Sequence, residues 1–161
     1  MNPGKIIICV GGTGLYPFND LIDLLFKAKL LREENASINQ LLLDANPILR
    51  TRPFDSFRFE VMGSFNRLSE IHPITLSQIS YLTRDSPNFT FALRVSGEHL
   101  SEETSSNLGI FLTHEHFTNR LTPLLNDYEL SHVYVCGPPR MNSSMRELLA
   151  SRLDPSKFTI L

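Results

Sequence analysis

Residues 6–14 read IIICVGGTG, an unbroken apolar run that ends in a cluster of glycines. A short apolar run without polar alternation is typical of a strand buried on both faces of a parallel sheet. The residues that follow predict a helix, because leucines recur at helical spacing from Leu21 to Leu31 and Pro17 suits a first helical turn. This strand, turn and helix point to an α/β fold.

A second apolar run lies near the other end of the chain. Residues 132–139 read HVYVCGPP, which again predicts a buried strand that ends in a glycine-containing turn. The apolar stripe of Met141, Met145, Leu149 and Leu153 predicts a helix after it, and 158–161 a last short strand. Two stretches between the runs, 57–61 and 89–95, alternate apolar with polar residues, which predicts half-exposed strands at the periphery of the sheet.

Strands that alternate with helices imply right-handed crossovers. We therefore predict a doubly wound α/β fold with a mainly parallel five-stranded sheet and helices on both faces. Further helices are expected at 69–82 and at 114–125, the second interrupted by Pro123. An irregular connection is expected at 33–55 and a solvated loop at 96–107. A chain of 161 residues is typical of one domain with its own core.

The composition excludes several classes of function. A net charge of −2 and scattered basic residues give no footprint for nucleic acid or a membrane surface. No apolar stretch approaches the roughly 20 residues that cross a bilayer, so we expect no membrane contact within this chain. Cys9 and Cys136 both fall in predicted strands, which favours reduced thiols. We expect a cytoplasmic protein, or the cytosol-facing domain of a larger membrane protein.

The two glycine turns are the candidate binding site. In doubly wound sheets a ligand binds beyond the carboxyl ends of the strands, where the winding reverses. Since only the strands at 6–10 and 133–136 look fully buried, their turns should lie side by side at that crevice. Glycine has no Cβ, so Gly11, Gly12 and Gly14 would let the backbone approach a diphosphate. An ordinary structural turn is the alternative, because the spacing is not Gly-x-Gly-x-x-Gly.

Residues 133–141, VYVCGPPRM, together with 11–18, GGTGLYPF, resemble the ferredoxin-NADP reductase superfamily. The similarity is to the nicotinamide-binding domain of ferric-reductase and cytochrome-b-reductase type enzymes, and 109–121 resembles a further segment of that domain. It implies that the pyrophosphate of NAD(P)H lies on the Gly12-Thr13-Gly14 turn. The contacts that it implies are Gly11, Gly12, Thr13, Gly14, Leu15, Tyr16, Pro17, Cys136, Gly137, Pro138, Pro139 and Met141.

The resemblance also implies a reaction. Cys136 and Gly137 would lie close to the nicotinamide ring, and hydride would pass to FAD held by a flavin-binding domain of the same full-length protein. That domain is expected upstream and is absent from 1–161. The electrons would continue to an acceptor such as haem, iron or a ferredoxin-like protein. Cys136 would be the catalytic residue in a positional role only, since cofactors carry such chemistry; a small residue at a strand end is the alternative.

The sequence leaves the choice between NADH and NADPH open. A basic side chain near the end of the second strand can meet a 2′-phosphate, whereas an acidic one favours a free ribose. Ser64 and Arg67 occupy that stretch. Arg67 would suit NADPH, but a solvated surface arginine is the alternative, and Glu70 nearby has the opposite preference.

Other residues of the chain bear on three alternative functions. His114 and His116 are two residues apart and do not share a helix face, so we expect no metal site. A generic dinucleotide-binding dehydrogenase lacks support, because the Gly-x-Gly-x-x-Gly motif and its ribose-binding acid are missing. The main alternative function is a non-catalytic interaction domain that keeps the fold without binding nucleotide.

Overall fold

The structure is a computed structural model, and it describes residues 4–33, 36–51 and 53–161. The strands are β1 (Gly4–Gly11), β2 (Phe57–Phe65), β3 (Phe89–Val95), β4 (Phe111–Leu112), β5 (Leu130–Cys136) and β6 (Phe158–Ile160). The α-helices are α1 (Asn19–Leu30), α2 (Ala36–Ala45), α3 (Pro73–Asp85), α4 (Glu102–Leu108), α5 (Phe117–Leu124) and α6 (Pro139–Ala150). Short 3-10 helices occupy Gly12–Phe18, Pro47–Thr51, Pro53–Ser56, Leu68–Glu70 and Pro155–Lys157.

The strands form one six-stranded sheet in the order β4-β3-β2-β1-β5-β6, and every pairing is parallel. The winding reverses between β1 and β5, where Cys9 pairs with Val135. This confirms the doubly wound α/β class. The sheet has six strands instead of the five that were expected, because Phe111 and Leu112 form β4 beside Ala92 and Leu93. A strand of two residues is too short to produce a readable alternation.

Successive residues of β1 project to opposite faces, and each face carries its own core. Ile8 and Val10 pack with Ile22 of α1 and Ile79 of α3, on what we call the α1 face. Ile7 and Cys9 pack on the opposite face, which we call the α6 face. The partners of Ile7 and Cys9 include Leu121 of α5, and Met145 and Leu149 of α6. Helices therefore cover both faces of β1, which explains its unbroken apolar sequence.

The expected burial of two regions was wrong. The strands β2 and β3 were expected at the half-exposed periphery, but β2 lies between β1 and β3, and both Val61 and Met62 are buried. In β5, Val133 and Val135 are fully buried on the α6 face, whereas Tyr134 is only half-buried. Tyr134 contacts Phe18 edge-on, with ring centroids 6.3 Å apart. The cause is strand order, since α1 and α3 cover β1 to β3 more fully than β5.

Several helix boundaries also differ from expectation. A 3-10 helix that contains Pro17 comes between β1 and α1, so α1 begins only at Asn19. The expected loop at 96–107 contains most of α4, capped by Ser101, whose Oγ accepts a hydrogen bond from the Thr104 amide at 3.1 Å. The helices expected at 69–82 and 114–125 begin later than predicted, α3 at Pro73 and α5 at Phe117. Each begins directly after a histidine whose ring accepts a hydrogen bond from a backbone amide. Pro123 is accommodated one residue before α5 ends.

The connection at 33–55 folds into α2 and two 3-10 turns within its described residues. It is fixed to α1 by an ion pair between Arg32 and Asp55 and by a hydrogen bond from the Asn39 side-chain amide to the Leu31 carbonyl at 3.3 Å. Phe54 packs edge-on against Phe59 of β2, with centroids 6.3 Å apart. This segment therefore packs on α1 and β2, away from the glycine turns.

A buried lysine lies at the amino end of β1. The Lys5 side chain is only 10% exposed, and its Nζ pairs with Asp127 and, at 3.2 Å, with Glu60. Burial by itself lowers the pKa of Lys5, but the hydrogen bonds to Asp127 and Glu60 outweigh burial and hold that pKa above its usual value. The hydrogen bond from Lys5 lowers the pKa of the Asp127 carboxyl. The ion pairs of Lys5 with Glu60 and Asp127 thus link β1 to β2 and to the turn before β5.

Candidate functional site

The two glycine turns meet at the point where the winding reverses, as the sequence predicts. A Cβ on Gly14 would overlap the carbonyl group of Cys136 and would lie 2.9 Å from the backbone nitrogen of Gly137. A Cβ on Gly137 would in turn lie 3.4 Å from the nitrogen of Gly11. The two backbones are therefore in direct contact, and Gly14 is where only glycine fits.

Gly12 faces the opposite situation. Its φ is +52°, a conformation that glycine adopts without strain, and an added Cβ would have no atom within 4 Å. Thr13, Tyr16 and Pro17 after it are exposed, and Tyr16 is 57% exposed. The turn thus presents open backbone beyond the carboxyl end of β1. Leu15 differs from its neighbours, since it is 3% exposed and belongs to the core of the α1 face.

A cavity of about 280 Å³ opens beside these turns, on the α6 face of the carboxyl edge of the sheet. Its walls come from the ends of β1, β2 and β3 and from the first turns of α5 and α6. The lining residues are Gly11, Ser64, Arg94, His116, Phe117, Pro138, Arg140, Met141, Ser144 and Met145. Four of the predicted site residues line it, namely Gly11, Ser64, Pro138 and Met141. Its volume suits part of a nucleotide rather than a whole dinucleotide.

One row of strand residues brings Arg94 to this cavity. Gly11 of β1 pairs with Ser64 of β2, and Ser64 pairs with Arg94 of β3. The Arg94 guanidinium donates a hydrogen bond to Ser64 Oγ at 3.4 Å. Sequence reasoning missed Arg94, although a signal existed: it shares a strand face with Ala92, which is buried on the α6 face. A charged side chain on such a face indicates a site rather than core.

Arg67, the basic residue that the sequence predicted as a cofactor contact, does not line the cavity. It is exposed before a 3-10 turn, where its backbone amide donates to the Glu70 carboxylate at 3.1 Å. His116 and Arg140, which do line the cavity, were not predicted as site residues. Both stand where a helix begins, after a loop, and no local pattern shows where such a residue points.

Both cysteines are free. Burial raises the pKa of the Cys9 thiol to about 12 and also raises the pKa of the Cys136 thiol. A thiol with a raised pKa is a poor nucleophile at neutral pH, because the thiolate is the reactive form. Cys136 at the end of β5 can therefore define the wall beside Gly14 and position a ligand, but the protein does not activate it for attack.

A somewhat larger cavity, about 330 Å³, lies between α1 and the connection at 33–55, and Leu31, Arg32, Leu43, Leu49 and Phe54 help to line it. It contains none of the glycine-turn residues. We place the site at the smaller cavity, because ligands of doubly wound sheets bind at the carboxyl edge where the winding reverses. Within the described residues, no group of three or more His, Cys, Asp or Glu side chains could hold a metal ion. The described residues also include no helix that is both long and apolar enough to span a bilayer.

Comparisons with solved structures find chains of similar fold. The chain aligns with the CS-b5R domains of human Ncb5or in its NAD+ form, at 13% identity and a TM-score of 0.58, over 98% of this chain and 36% of that chain. A flavohemoglobin from Malassezia yamatoensis with bound FAD and heme aligns at 14% identity and a TM-score of 0.56, over 99% of this chain and 31% of that chain. The Amycolatopsis cytochrome P450 reductase GcoB aligns at 16% identity and a TM-score of 0.51, over 98% of this chain and 37% of that chain.

These likenesses lie below the identity at which function follows, so they show the fold. No protein-family model matches the chain, and no curated protein matches its sequence. The chain spans about a third of the length of the three aligned structures. At the level of the fold, the resemblance predicted from 11–18 and 133–141 is confirmed.

Proposed function

The chain has the fold of the NAD(P)-binding domains of the ferredoxin-NADP reductase superfamily, and we propose that it binds NAD(P)H for a flavoprotein oxidoreductase. In this proposal the pyrophosphate lies on Gly12-Thr13-Gly14 and the nicotinamide beside Cys136 and Gly137. Hydride passes to FAD on a flavin-binding domain of the same longer protein. Electrons continue to an acceptor such as haem, iron or a ferredoxin-like protein.

The contact between the two turns carries the proposal. Gly14 has no room for a Cβ because it lies against Cys136, whereas Gly12 next to it faces open space with φ +52°. A turn that is packed on one side and bare on the other lets a diphosphate approach the backbone closely. The adjoining cavity, lined by Pro138 and Met141, offers an apolar wall for the adenosine part.

The aligned structures support the flavin partner. One of them is a flavohemoglobin with bound FAD and heme, one is the NAD+ form of the CS-b5R domains, and one is a cytochrome P450 reductase. Each of these chains is about three times as long as this one, and nearly all of this chain aligns with a part of it. We therefore propose that the chain is one domain of a longer flavoprotein, which accounts for its fold and for its being about a third as long as the aligned chains.

The chemistry itself would come from the cofactors, because a nicotinamide supplies a hydride and a flavin accepts it. This chain would supply binding, orientation and exclusion of water. Cys136 keeps its proton at neutral pH, because burial raises its pKa. Its role is then to fix the distance at which a bound ring lies from the end of β5, and Cys136→Ser should alter the rate of hydride transfer more than the affinity for nucleotide.

Chemical-shift mapping tests the binding half of the proposal. Adding NADH or NADPH to the labelled chain should shift the amides of Gly12, Thr13, Cys136 and Gly137, and should leave those of α2 unchanged. Gly12→Ala should weaken binding while the chain stays folded, since the added methyl group occupies the open space above the turn. If neither nucleotide shifts these amides at physiological concentration, the interaction-domain alternative is favoured.

The redox half needs the flavin domain. The protein produced together with its flavin-binding domain should lose its flavin absorbance when NADH or NADPH is added without oxygen. Persistent flavin colour with both nucleotides would count decisively against hydride transfer. The two assays separate a domain that binds without transferring hydride from one that does neither.

A further inference from the structure

The cavity of about 330 Å³ between α1 and the connection at 33–55 has a mainly apolar wall. The apolar side chains that line it are Ala28, Leu31, Leu43, Leu49 and Phe54. Leu49 is only 4% exposed, yet it belongs to neither of the two cores that the described residues form. A leucine that lines a cavity has fewer dispersion contacts than one in a packed core, and a bound apolar molecule would supply them. The cavity therefore suits an apolar ligand.

Asn39 of α2 also lines this cavity and brings an unpaired acceptor to it. Its side-chain nitrogen donates a hydrogen bond to the Leu31 carbonyl at 3.3 Å, which leaves the side-chain oxygen as the free atom. That oxygen, Oδ1, is buried and has no hydrogen-bond partner among the described residues. A buried acceptor without a donor is unfavourable, and a ligand that donates to it removes the penalty. We therefore expect an N–H or O–H group on the ligand.

The charged side chains around the cavity are already paired. Arg32 forms an ion pair with Asp55, and Arg50 forms one with Asp44 at 3.1 Å. Arg32, Asp55 and Arg50 line the cavity, and all three are exposed. A charged ligand would have to displace one of these pairs, whereas an uncharged ligand leaves both intact. The balance of charge thus favours an uncharged molecule.

We propose that this cavity binds an uncharged aromatic compound with one hydrogen-bond donor, of about the size of indole. A cavity of roughly 150 Å³ holds one benzene ring, so about 330 Å³ accommodates a fused bicyclic ring. Phe54 offers its ring for an offset or edge-on contact, as it already makes with Phe59. The donor of the ligand meets Asn39 Oδ1. The site shares no lining residue with the cavity beside the glycine turns, so it is independent of the proposed function.

Indole is a direct probe, because the chain contains no Trp and the fluorescence of an indole ring then comes from the ligand alone. A molecule of this size should bind with a Kd of about 0.1–1 mM, and its emission should move to shorter wavelength in the apolar cavity. Benzofuran has the same shape but an oxygen in place of the N–H. Measured by displacement of indole, it should bind about tenfold more weakly, because Asn39 Oδ1 then stays unpaired. The amides of Leu31 and Leu49 should shift on binding, and those of Gly12 and Gly137 should not.

Asn39→Leu should bring the affinities for indole and benzofuran within about twofold of each other. Asn142→Leu is the matched control. Asn142 is also half-buried, its side-chain nitrogen donates to the Leu161 carbonyl at 3.0 Å, and its Oδ1 has no partner among the described residues. It lies on α6 outside the cavity, so its replacement should keep the preference for indole. Loss of the preference in Asn142→Leu would overturn the inference.

Ala28→Phe fills the cavity from α1 and should abolish the binding of both compounds, and this variant decides the question if Asn39→Leu does not fold. Equal affinity of the wild-type chain for indole and benzofuran would overturn the inference. Amide shifts at the glycine turns in place of the connection would also overturn it. If indole shows no saturable binding, the inference fails and the proposed function stands, because the binding of NADH or NADPH is measured at other residues.

Discussion

Replacing Gly14 by alanine should destabilise this fold far more than the same change at Gly12, two residues earlier. The methyl group at Gly14 would overlap the carbonyl group of Cys136 and press on the Gly137 nitrogen at 2.9 Å. Both neighbours are backbone atoms at the end of β5, which is paired with β1 on one side and β6 on the other. Neither can move as a flexible side chain would, so the clash must be relieved by shifting the turn.

The magnitude follows from three terms. Overpacking costs about 1–3 kcal/mol when side chains can adjust, and a clash with backbone belongs at the upper end. Gly→Ala stabilises by about 0.4–1 kcal/mol through the entropy of the unfolded chain. The net for Gly14→Ala is roughly 2 kcal/mol or more of lost stability. At Gly12 the methyl group meets no atom, and strain of about 1–2 kcal/mol from the positive φ, partly offset by the same entropy, leaves about 1 kcal/mol or less.

Urea unfolding followed by circular dichroism, with linear extrapolation, compares the two variants. For a domain of this size, 1 kcal/mol corresponds to about 2–4 °C in Tm, so Gly14→Ala should lower Tm by roughly 4–8 °C. Gly12→Ala should lower it by no more than about half as much. If Gly14→Ala proved as stable as Gly12→Ala, the two turns would not be in contact in solution. The placement of the site would then be wrong.

Two further predictions concern titrating groups. Burial raises the pKa values of both thiols. Cys136 in a Cys9→Ser variant should therefore react with iodoacetamide at about pH 8 more slowly than free cysteine does. Unfolding the chain in urea should remove this difference in rate, and a reaction of the folded chain that is faster than that of free cysteine would contradict the positional role. The folded-state pKa of Asp127 lies below its unfolded value, so its pairing with Lys5 stabilises the fold above about pH 4 and this contribution is lost as the pH falls through the folded-state pKa. Asp127→Asn should therefore flatten the fall in unfolding free energy between about pH 5 and pH 2, and urea titrations that show parallel curves for variant and wild type would refute this.

Much of the fold could be predicted because its signals are local. Residues 7–10 of the apolar run are buried on both faces, and both glycine turns lie where their strands end, as Gly14 beside Cys136 shows. Pro73 begins α3, as a proline in a first helical turn suits. A strand of two residues such as β4 has no periodicity to detect. The helix α4 was missed because its polar sequence resembles a loop, although Ser101 followed by Glu102 is an N-terminal signal.

The burial of individual strands could not be predicted, because it depends on which strands become neighbours. The alternation in β2 suggested a peripheral strand, yet β1 and β3 flank it and Met62 packs on the α6 face. The apolar run of β5 suggested cover on both faces, yet Tyr134 is only half-buried. An amino-acid pattern records how polar each position is, whereas the sheet order decides what lies opposite it.

The sequence alone determined the class of fold, the two turns and their meeting point, because buried parallel strands and glycine turns leave a pattern within a few residues. Only the tertiary structure decided which charged side chains line the cavity beside those turns. Arg94 on β3 and Arg140 on α6 are 46 positions apart by their numbering, and they line one cavity because β2 and β1 set them along the same edge. Arg67, nearer to the expected place in the chain, turns outward into a 3-10 turn instead. Convergence of distant side chains is a property of strand order and register, which no local pattern encodes.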